Sequence, residues 1–267
     1  MKIEAILTPV GLPTLARRDL RGAACVVFDV LRATSTFVTA LRNGANAVIP
    51  AAEISEALAF KNSEFGIRNS ESVLLAGERD GVKIRAAQTG GTDFELGNSP
   101  REFTPEMVRG RTIVSTTTNG TRALRACAAA QTVLAGSFLN LAATAEFIKK
   151  IQPAEVLLVC AGTGENQADE DVLAAGALCE MLAVGSSRCD DRTAQRAVPT
   201  QISNSAELAR RAWVQAKSDL AAAVCNSENA RRLLAIPELR DDVAFCIQRD
   251  IFPLVARMEA DGAIRRQ

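Results

Sequence analysis

The sequence predicts an α/β protein made of two α/β lobes, with parallel or mixed sheets flanked by helices. Two observations predict this class. Short apolar runs alternate with helical patterns along the first part of the chain, and the runs are continuously apolar, as in strands covered on both faces. After Cys160 longer helical patterns dominate. This change predicts a boundary near residue 130, between an N-terminal lobe (1–130) and a C-terminal lobe (131–267).

Each predicted strand is a short apolar run that ends at turn residues. The predicted strands are Ile3–Leu7, Cys25–Val30, Ala47–Ile49, Val73–Ala76, Thr112–Ser115, Thr132–Leu134 and Glu155–Cys160, with a last strand near Phe252–Ala256. The predicted helices are Phe37–Arg42, Glu53–Phe60, Arg122–Ala129, Leu141–Lys150, Asp171–Val184, Ala206–Cys225 and Asn229–Leu234.

The segment 61–72 differs from its surroundings. It is polar, has no sustained periodicity and contains the tripeptide Asn-Ser-Glu twice, at Asn62 and at Asn69. It also separates a predicted helix from a predicted strand. These features predict a surface insertion.

The composition excludes several kinds of function. The 267 residues include no histidine, so Ser-His-Asp triads, Cys-His dyads and histidine metal sites are excluded. The formal net charge is zero and aromatic residues make up only 4%, which argues against nucleic-acid partners and anionic membrane surfaces. The seven scattered cysteines form no CxxC pair and predict reduced thiols in a cytoplasmic protein.

Four segments place polar residues directly after a predicted strand, where open α/β sheets bind ligands. The first contains Asp29 and Arg32, followed by Thr34 and Ser35 as candidate caps of the next helix. A carboxylate beside a guanidinium suits magnesium and phosphate. A structural ion pair with a helix cap explains the same residues equally well.

The second segment repeats this pattern with Glu78 and Arg79, although a solvated charged turn is the simpler explanation there. The third begins at Leu96 and includes Asn98 and Ser99. Ser99 and Glu102 have the spacing of a capping box, with Pro100 at the first helical position.

A hydroxyl-rich run follows the strand that ends near Ser115. It joins this strand to a helix and comprises Thr116, Thr117, Thr118, Asn119, Gly120, Thr121 and Arg122. Hydroxyl groups, free helix N–H groups and a glycine that permits close approach would together hold an oxyanion.

The fourth segment contains Gly162 and then the acidic residues Asp169, Glu170 and Asp171, which open a helix. Acidic side chains are favoured in a first helical turn by the helix dipole. The functional alternative is that Glu170 or Asp171 binds a divalent cation together with Asp29. The CxxxxxR spacing from Cys225 to Arg231 matches cysteine phosphatases but lacks their glycine-rich turn and is interpreted as coincidence.

Seven short segments occur in a characteristic order: Val27–Thr34, Gly77–Arg79, Leu96–Pro100, Thr116–Arg122, Cys160–Gly162, Glu170–Leu173 and Asp242–Cys246. In this order they resemble the 2-phosphosulfolactate phosphatase family, the ComB proteins of coenzyme M biosynthesis. The chain departs from the family in the segment 61–72, at Asp80 and in the stretch from Thr163 to Ala168.

The resemblance implies a ComB-like fold and Mg²⁺-dependent hydrolysis of (R)-2-phospho-3-sulfolactate to 3-sulfolactate and phosphate. On this basis we expect the catalytic residues Asp29, Arg32, Glu78 and Arg79, and metal ligands among Asp29, Glu78, Glu170 and Asp171. The expected substrate-binding residues are Thr34, Ser35, Asn98, Ser99, Thr117, Thr118, Asn119, Gly120, Thr121, Arg122 and Gly162.

Other functions remain open at this point. The substrate could be another small phosphorylated acid, or the chain could be a non-catalytic anion-binding protein on the same scaffold. The expected partner is a small anionic phosphorylated substrate, with no nucleic acid and no membrane, and a homodimer is expected.

Overall fold

The computed structural model describes residues 1–63, 72–184 and 200–267, and in them eleven strands form one mixed sheet. In chain order the strands are β1 (Lys2–Ile6), β2 (Ala23–Phe28), β3 (Ala47–Ala51), β4 (Val73–Arg79), β5 (Val82–Lys83), β6 (Thr112–Thr116), β7 (Thr132–Gly136), β8 (Glu155–Cys160), β9 (Gln201–Ile202), β10 (Ala256–Met258) and β11 (Ile264–Arg266). Across the sheet their order is β5-β4-β6-β3-β11-β10-β7-β2-β8-β1-β9.

The sheet consists of two parallel groups joined by an antiparallel hairpin. One group is β7-β2-β8-β1-β9 and the other is β3-β6-β4, with β5 antiparallel at its edge. The hairpin β10–β11 lies between them and pairs antiparallel with both β7 and β3. Because direction reverses at each of these pairings, the two parallel groups run in opposite directions.

Helices cover the sheet. The α-helices are α1 (Leu12–Leu15), α2 (Ala33–Arg42), α3 (Ile54–Lys61), α4 (Ala86–Thr89), α5 (Pro105–Val108), α6 (Gly120–Ala126), α7 (Leu141–Ile151), α8 (Asp169–Val184), α9 (Asn204–Ala216), α10 (Leu220–Cys225), α11 (Glu228–Leu234) and α12 (Arg240–Cys246). The described residues also form 3₁₀ turns at Pro9–Gly11, Pro100–Glu102 and Phe138–Asn140.

The α/β class and all seven strands predicted before residue 161 are confirmed, with bounds shifted by a few residues. The predicted helix Ala206–Cys225 is in fact two helices, because the Asp219 side chain accepts a hydrogen bond from Ala222 N–H and starts α10. The predicted last strand near Phe252–Ala256 begins only at Ala256. Helix α12 and the two- or three-residue strands have too little periodicity to be predicted.

Two predictions about the chain's organisation remain predictions. The predicted lobe boundary near residue 130 falls within one continuous sheet, since β2 from before it pairs with β7 and β8 from after it. Most of the predicted insertion 61–72 lies outside the described residues, which resume at Ser72.

The core lies on both faces of the sheet. In β2, Cys25 and Val27 pack into one apolar cluster, whereas Val26 and Phe28 pack into the cluster on the opposite face. This arrangement explains why the run is continuously apolar.

Helix α2 is the most deeply buried helix near the site. Nine of its ten residues are buried, and it contacts strands of both parallel groups as well as the hairpin between them. In a flat sheet, strands of opposite direction would end at opposite edges. Here the turns after β2 and β6 nevertheless meet, since a Cβ on Gly120 would lie only 2.7 Å from Oδ2 of Asp29.

The described part of the chain contains neither a disulfide bond nor a helix able to cross a membrane. Six of the seven cysteines lie in described residues and all six are free thiols, whereas Cys189 lies outside them. Among the residues described, each helix is too short or too polar to span a bilayer.

We predict that Gly176→Ala destabilises the protein. Gly176 lies where α8 meets α9, and a Cβ there would overlap the carbonyl oxygen of Ala209 and lie 2.9 Å from Cβ of Trp213. Glycine to alanine inside a helix normally stabilises by about 1 kcal/mol, but overpacking costs about 1–3 kcal/mol. Urea denaturation of the variant measures the balance.

The matched control for this substitution is Gly22→Ala. A Cβ at Gly22 would lie 3.9 Å from the nearest atom, Cβ of Ala154, and is easily accommodated. A Gly176→Ala protein as stable as the wild type would contradict the close helix packing.

Candidate active site

The turns after β2, β4, β6 and β8 enclose a cavity together with α11. Its volume is about 220 Å³, which suits a small ligand. The wall residues are Asp29, Leu31, Arg32, Glu78, Asp80, Gly81, Asn98, Thr117, Thr118, Asn119, Thr163, Gly164, Asn229, Arg232 and Leu233. They include three carboxylates and two guanidinium groups but no aromatic ring. The ligand that fits such a wall is small and highly charged.

Asp29 is the first residue after β2, and its carboxylate meets the N-terminus of α2. Its Oδ1 accepts a hydrogen bond from the Ala33 N–H at 3.1 Å. A Cβ on Gly120 would lie 2.7 Å from Asp29 Oδ2, so only glycine permits this close approach of the turn after β6. Burial raises the pKa of Asp29 from its usual 3.8 to about 6, and the charges of Glu78 and Glu170 act in the same direction.

Glu78 lies near the end of β4 and joins two turns of the cavity wall. Its Oε1 accepts hydrogen bonds from the N–H and the hydroxyl of Thr118, both at 3.2 Å. Its Oε2 accepts one from the Gly81 N–H at 2.8 Å. Glu78 is therefore held in place by neutral donors, and its negative charge has no cation directly against it among these contacts.

Asp171 lies in the first turn of α8, behind the cavity wall. Its Oδ1 accepts a hydrogen bond from the Val30 N–H at 2.8 Å, and its Oδ2 accepts one from the Gly162 N–H at 3.1 Å. Burial, followed by the charges of Asp29 and Glu170, raises the pKa of Asp171 well above its usual range. With both oxygens bonded to backbone, Asp171 connects the turn after β2 to the turn after β8.

Glu170 faces a neighbouring cavity instead of the main one. Its Oε1 accepts a hydrogen bond from Asn229 Nδ2 at 2.7 Å. Burial raises the pKa of Glu170, and the hydrogen bond from Asn229 opposes this rise. Neither Glu170 nor Asp171 lines the main cavity, so the structure does not bring these two predicted metal ligands together with Asp29 on its wall.

Arg32 lines the cavity and is tied to a distant part of the chain. Its guanidinium donates to Asp242 Oδ2 at 2.8 Å and to the Gly81 carbonyl at 2.8 Å. Asp242 is fully buried in α12, and its Oδ1 accepts a hydrogen bond from the Ser99 hydroxyl at 2.6 Å. This buried pair fixes Arg32, and sequence spacing could not have revealed a contact across 210 residues.

Two predicted arginines lie outside the cavity. Arg79 follows Glu78 on a strand, so its side chain points to the opposite face, where it donates to the Thr116 hydroxyl at 3.1 Å. Arg122 follows the buried Thr121 on α6 and is rotated into solvent. Neither Arg79 nor Arg122 lines this cavity in the described arrangement, and their expected roles stay predictions.

Thr34 and Ser35 are not helix caps, because α2 begins earlier, at Ala33. The Thr34 hydroxyl donates to the carbonyl of Asp29 at 2.9 Å and accepts from its N–H at 3.0 Å. The Ser35 hydroxyl donates to the Val30 carbonyl at 2.8 Å. Both residues are buried and hold the backbone that carries Asp29, instead of lining the cavity.

The predicted capping box at Ser99 is also wrong. Ser99 makes no capping hydrogen bond, and its hydroxyl bonds to Asp242 instead. The Glu102 carboxylate accepts from the Gly97 N–H at 2.8 Å. The neighbouring Asn98 lines the cavity as predicted, whereas Ser99 is buried behind it.

The hydroxyl-rich run after β6 divides between the cavity and its support. Thr117, Thr118 and Asn119 line the cavity. Gly120 packs against Asp29, and the Thr121 hydroxyl lies 3.2 Å from that of Thr117. Gly162 has a positive φ of 63° and supports Asp171 without lining the cavity.

Sequence reasoning missed part of the wall. The residues assigned no role there are Leu31, Asp80, Gly81, Thr163, Gly164, Asn229, Arg232 and Leu233. Three of them lie on α11, beside the Cys225–Arg231 spacing that was interpreted as coincidence. Their spacing at i, i+3 and i+4 shows that they share one helix face, but nothing local shows that this face meets the cavity.

The oxygen donors of the cavity fit a magnesium ion. Mg²⁺ prefers oxygen ligands, keeps several waters and needs only one or two carboxylates. Within residues 1–63, 72–184 and 200–267, no three acidic or cysteine side chains lie close enough to hold one ion. Asp29 and Glu78 supply the one or two carboxylates that Mg²⁺ needs. The amide oxygens of Asn98 and Asn119 are also buried without a hydrogen-bond partner among the described residues.

Comparison with known proteins identifies the family. The sequence profile of the 2-phosphosulpholactate phosphatase family matches residues 11–261. The chain belongs to this family. A probable 2-phosphosulfolactate phosphatase from Thermotoga petrophila is 38% identical over 86% of each chain, and one from Clostridium acetobutylicum is 31% identical over 96% of each. A third, from Caldanaerobacter subterraneus subsp. tengcongensis, is 45% identical, with the match covering 62% of this chain and 64% of the relative.

The resemblance seen in seven sequence segments is thereby confirmed, and the structure shows what those segments do in this member of the 2-phosphosulfolactate phosphatase family. Four of them contribute wall residues, among them Asp29, Glu78, Asn98 and Thr117. The other three support the wall through hydrogen bonds of Gly162, Asp171 and Asp242.

We predict that Asp242→Asn destabilises the protein by about 3–5 kcal/mol, because it leaves the guanidinium of Arg32 buried without its counter-charge. Both side chains of this pair are at most 3% exposed. Chemical denaturation of the variant measures the loss.

The adjacent Asp241 provides a matched control. It is exposed and pairs with the half-exposed Arg101 at 3.2 Å, so Asp241→Asn should change stability little. Equal effects of the two substitutions would contradict the structural importance of the buried pair.

Proposed function

We propose that this chain is a magnesium-dependent phosphatase that hydrolyses (R)-2-phospho-3-sulfolactate to 3-sulfolactate and phosphate. Family membership and the names of the relatives support the reaction class. The observation that carries the proposal is a cavity whose wall combines Asp29 and Glu78 with two guanidinium groups.

The proposed substrate matches the chemistry of the wall. It carries a phosphate, a sulfonate and a carboxylate on three carbons, and it has no ring. The wall correspondingly offers guanidinium, amide and hydroxyl groups, and its residues include no aromatic side chain that would stack on a ring.

Asp29 and Glu78 would hold Mg²⁺, in preference to Glu170 and Asp171, because only the first two line the cavity. When bound, the ion supplies positive charge that stabilises the phosphoryl oxygens in the transition state. Hydroxyl and amide donors of Thr117, Thr118 and Asn119 would orient the phosphoryl group.

Two roles are chemically open to Asp29. It can attack phosphorus to form an aspartyl-phosphate, or it can act only as a metal ligand while water attacks. The stereochemical course at phosphorus separates them. Two successive in-line displacements through an aspartyl-phosphate retain the configuration of an isotopically chiral phosphoryl group, whereas a single attack by water inverts it.

The proposal extends to the setting of the reaction. We propose a place in coenzyme M biosynthesis and a cytoplasmic homodimer, as expected from the sequence. Gel filtration with light scattering measures the oligomeric state.

Phosphate release from phosphosulfolactate tests the proposed function. We expect release with Mg²⁺, loss of release with EDTA and recovery when Mg²⁺ is restored. Asp29→Asn should lower turnover by a factor of about 10²–10⁴, because it removes a charged group from the reacting centre. Circular dichroism establishes that the variant is folded.

Asp19→Asn is the control, since Asp19 is an exposed carboxylate paired with Arg21 and lies outside the cavity. Turnover that survives EDTA would contradict the metal dependence. Wild-type turnover by Asp29→Asn would contradict the role of Asp29, and release from other phospho-acids alone would redirect the substrate assignment.

A further inference from the structure

The two arginines of the cavity differ in how their charge is balanced. Arg32 is 4% exposed, and its terminal nitrogens donate to Asp242 and to the Gly81 carbonyl. Its positive charge is therefore already neutralised by a buried carboxylate. Arg32 alone cannot balance a ligand that brings several negative charges to a wall with three carboxylates.

Arg232 is the opposite case. It lines the same cavity, its residue is exposed, and the described residues provide no ion pair or hydrogen bond for its guanidinium. An arginine in this state keeps its full positive charge and its planar set of donors free for an oxyanion.

The backbone that carries Arg232 is firmly anchored. Asn229, on the same face of α11, donates to Thr163 Oγ1 and to Glu170 Oε1, both at 2.7 Å. Leu233 is 5% exposed and packs into the core. Helix α11 therefore presents Arg232 to the cavity from a fixed position, although the side chain itself has no partner there.

The carboxylates assigned to the metal belong to other elements of the wall. Asp29 follows β2 and Glu78 lies near the end of β4, whereas Arg232 belongs to α11. A second oxyanion of the ligand would be repelled by these carboxylates and attracted to the guanidinium of Arg232. Arg232 is therefore suited to a group of the ligand that is not transferred.

We propose that Arg232 is a specificity-determining residue that binds an oxyanion of the substrate other than the phosphoryl group, namely its sulfonate or its carboxylate. This inference rests on the proposed function. It assigns substrate recognition to an arginine of α11, a helix for which the sequence predicts no functional role.

The test compares wild type and Arg232→Gln on three phosphate esters. These are 2-phospho-3-sulfolactate, 2-phospholactate, which lacks the sulfonate, and 2-sulfoethyl phosphate, which lacks the carboxylate. Loss of one charge-assisted contact should lower kcat/KM for the full substrate about 10- to 150-fold. The loss should appear mainly in KM, because a group that is not transferred is bound equally in the ground and transition states.

The pattern across the analogues identifies the group that Arg232 binds. The ester that lacks this group should be turned over equally by wild type and Arg232→Gln, whereas the other analogue should lose as much as the full substrate. An equal loss on all three esters, or no loss on any, would overturn the proposal.

Arg231→Gln is the matched control. Arg231 is also exposed and is adjacent on α11, but it lines the neighbouring cavity. We expect this variant to keep the wild-type ratios among the three esters.

Failure of the proposed function is distinguishable from failure of this inference. If the wild type releases no phosphate from phosphosulfolactate, calorimetry tests the role of Arg232 independently. It measures the binding of 3-sulfolactate, which has the sulfonate and the carboxylate but no phosphate. Binding by wild type that is lost in Arg232→Gln supports the inference. Equal binding by both proteins, or none by either, overturns it.

Discussion

Burying Asp29 at the end of β2 opposes folding, and the structure around it is arranged to make this burial tolerable. The carboxylate is enclosed by protein and lies within electrostatic reach of Glu78 and Glu170. The groups that contact it directly are neutral. The Ala33 N–H donates a hydrogen bond to it, and the turn at Gly120 packs against it. A buried carboxylate near other negative charges is characteristic of a functional site, where residues needed for the reaction lower the stability of the fold.

The same constraint explains why segments far apart in the chain meet here. Asp171 ties the turn after β2 to the turn after β8, and Glu78 ties the turn after β4 to the turn after β6. Asp242, on α12, closes the assembly through Arg32. Each of these carboxylates is satisfied by donors that fix one turn against another, so the cavity is held open by hydrogen bonds between its walls.

How much could be predicted from the sequence depends on the range of the interaction. The strands and the polar turns after them are local patterns that can be predicted from the sequence. The candidates Asp29, Glu78, Asn98 and Thr117 from these turns all line the cavity, and their functional roles stay predictions. The direction of Arg79 follows from strand alternation, since it is the neighbour of Glu78 on β4. The partnership of Arg32 with Asp242 and the docking of α11 are long-range contacts with no local signal.

The stability of the metal-free protein measures how much the burial of Asp29 costs the folded state. A pKa raised from 3.8 to about 6 means that the folded protein holds this proton more tightly than the unfolded chain. Stability should therefore fall as pH rises from about 4 to about 6, by at most ~3 kcal/mol from this group. In EDTA, we expect Asp29→Asn to be more stable than wild type at pH 7 and to lose this advantage at pH 4. An Asp29→Asn protein that is no more stable than wild type at pH 7 would show that the burial of Asp29 does not oppose folding.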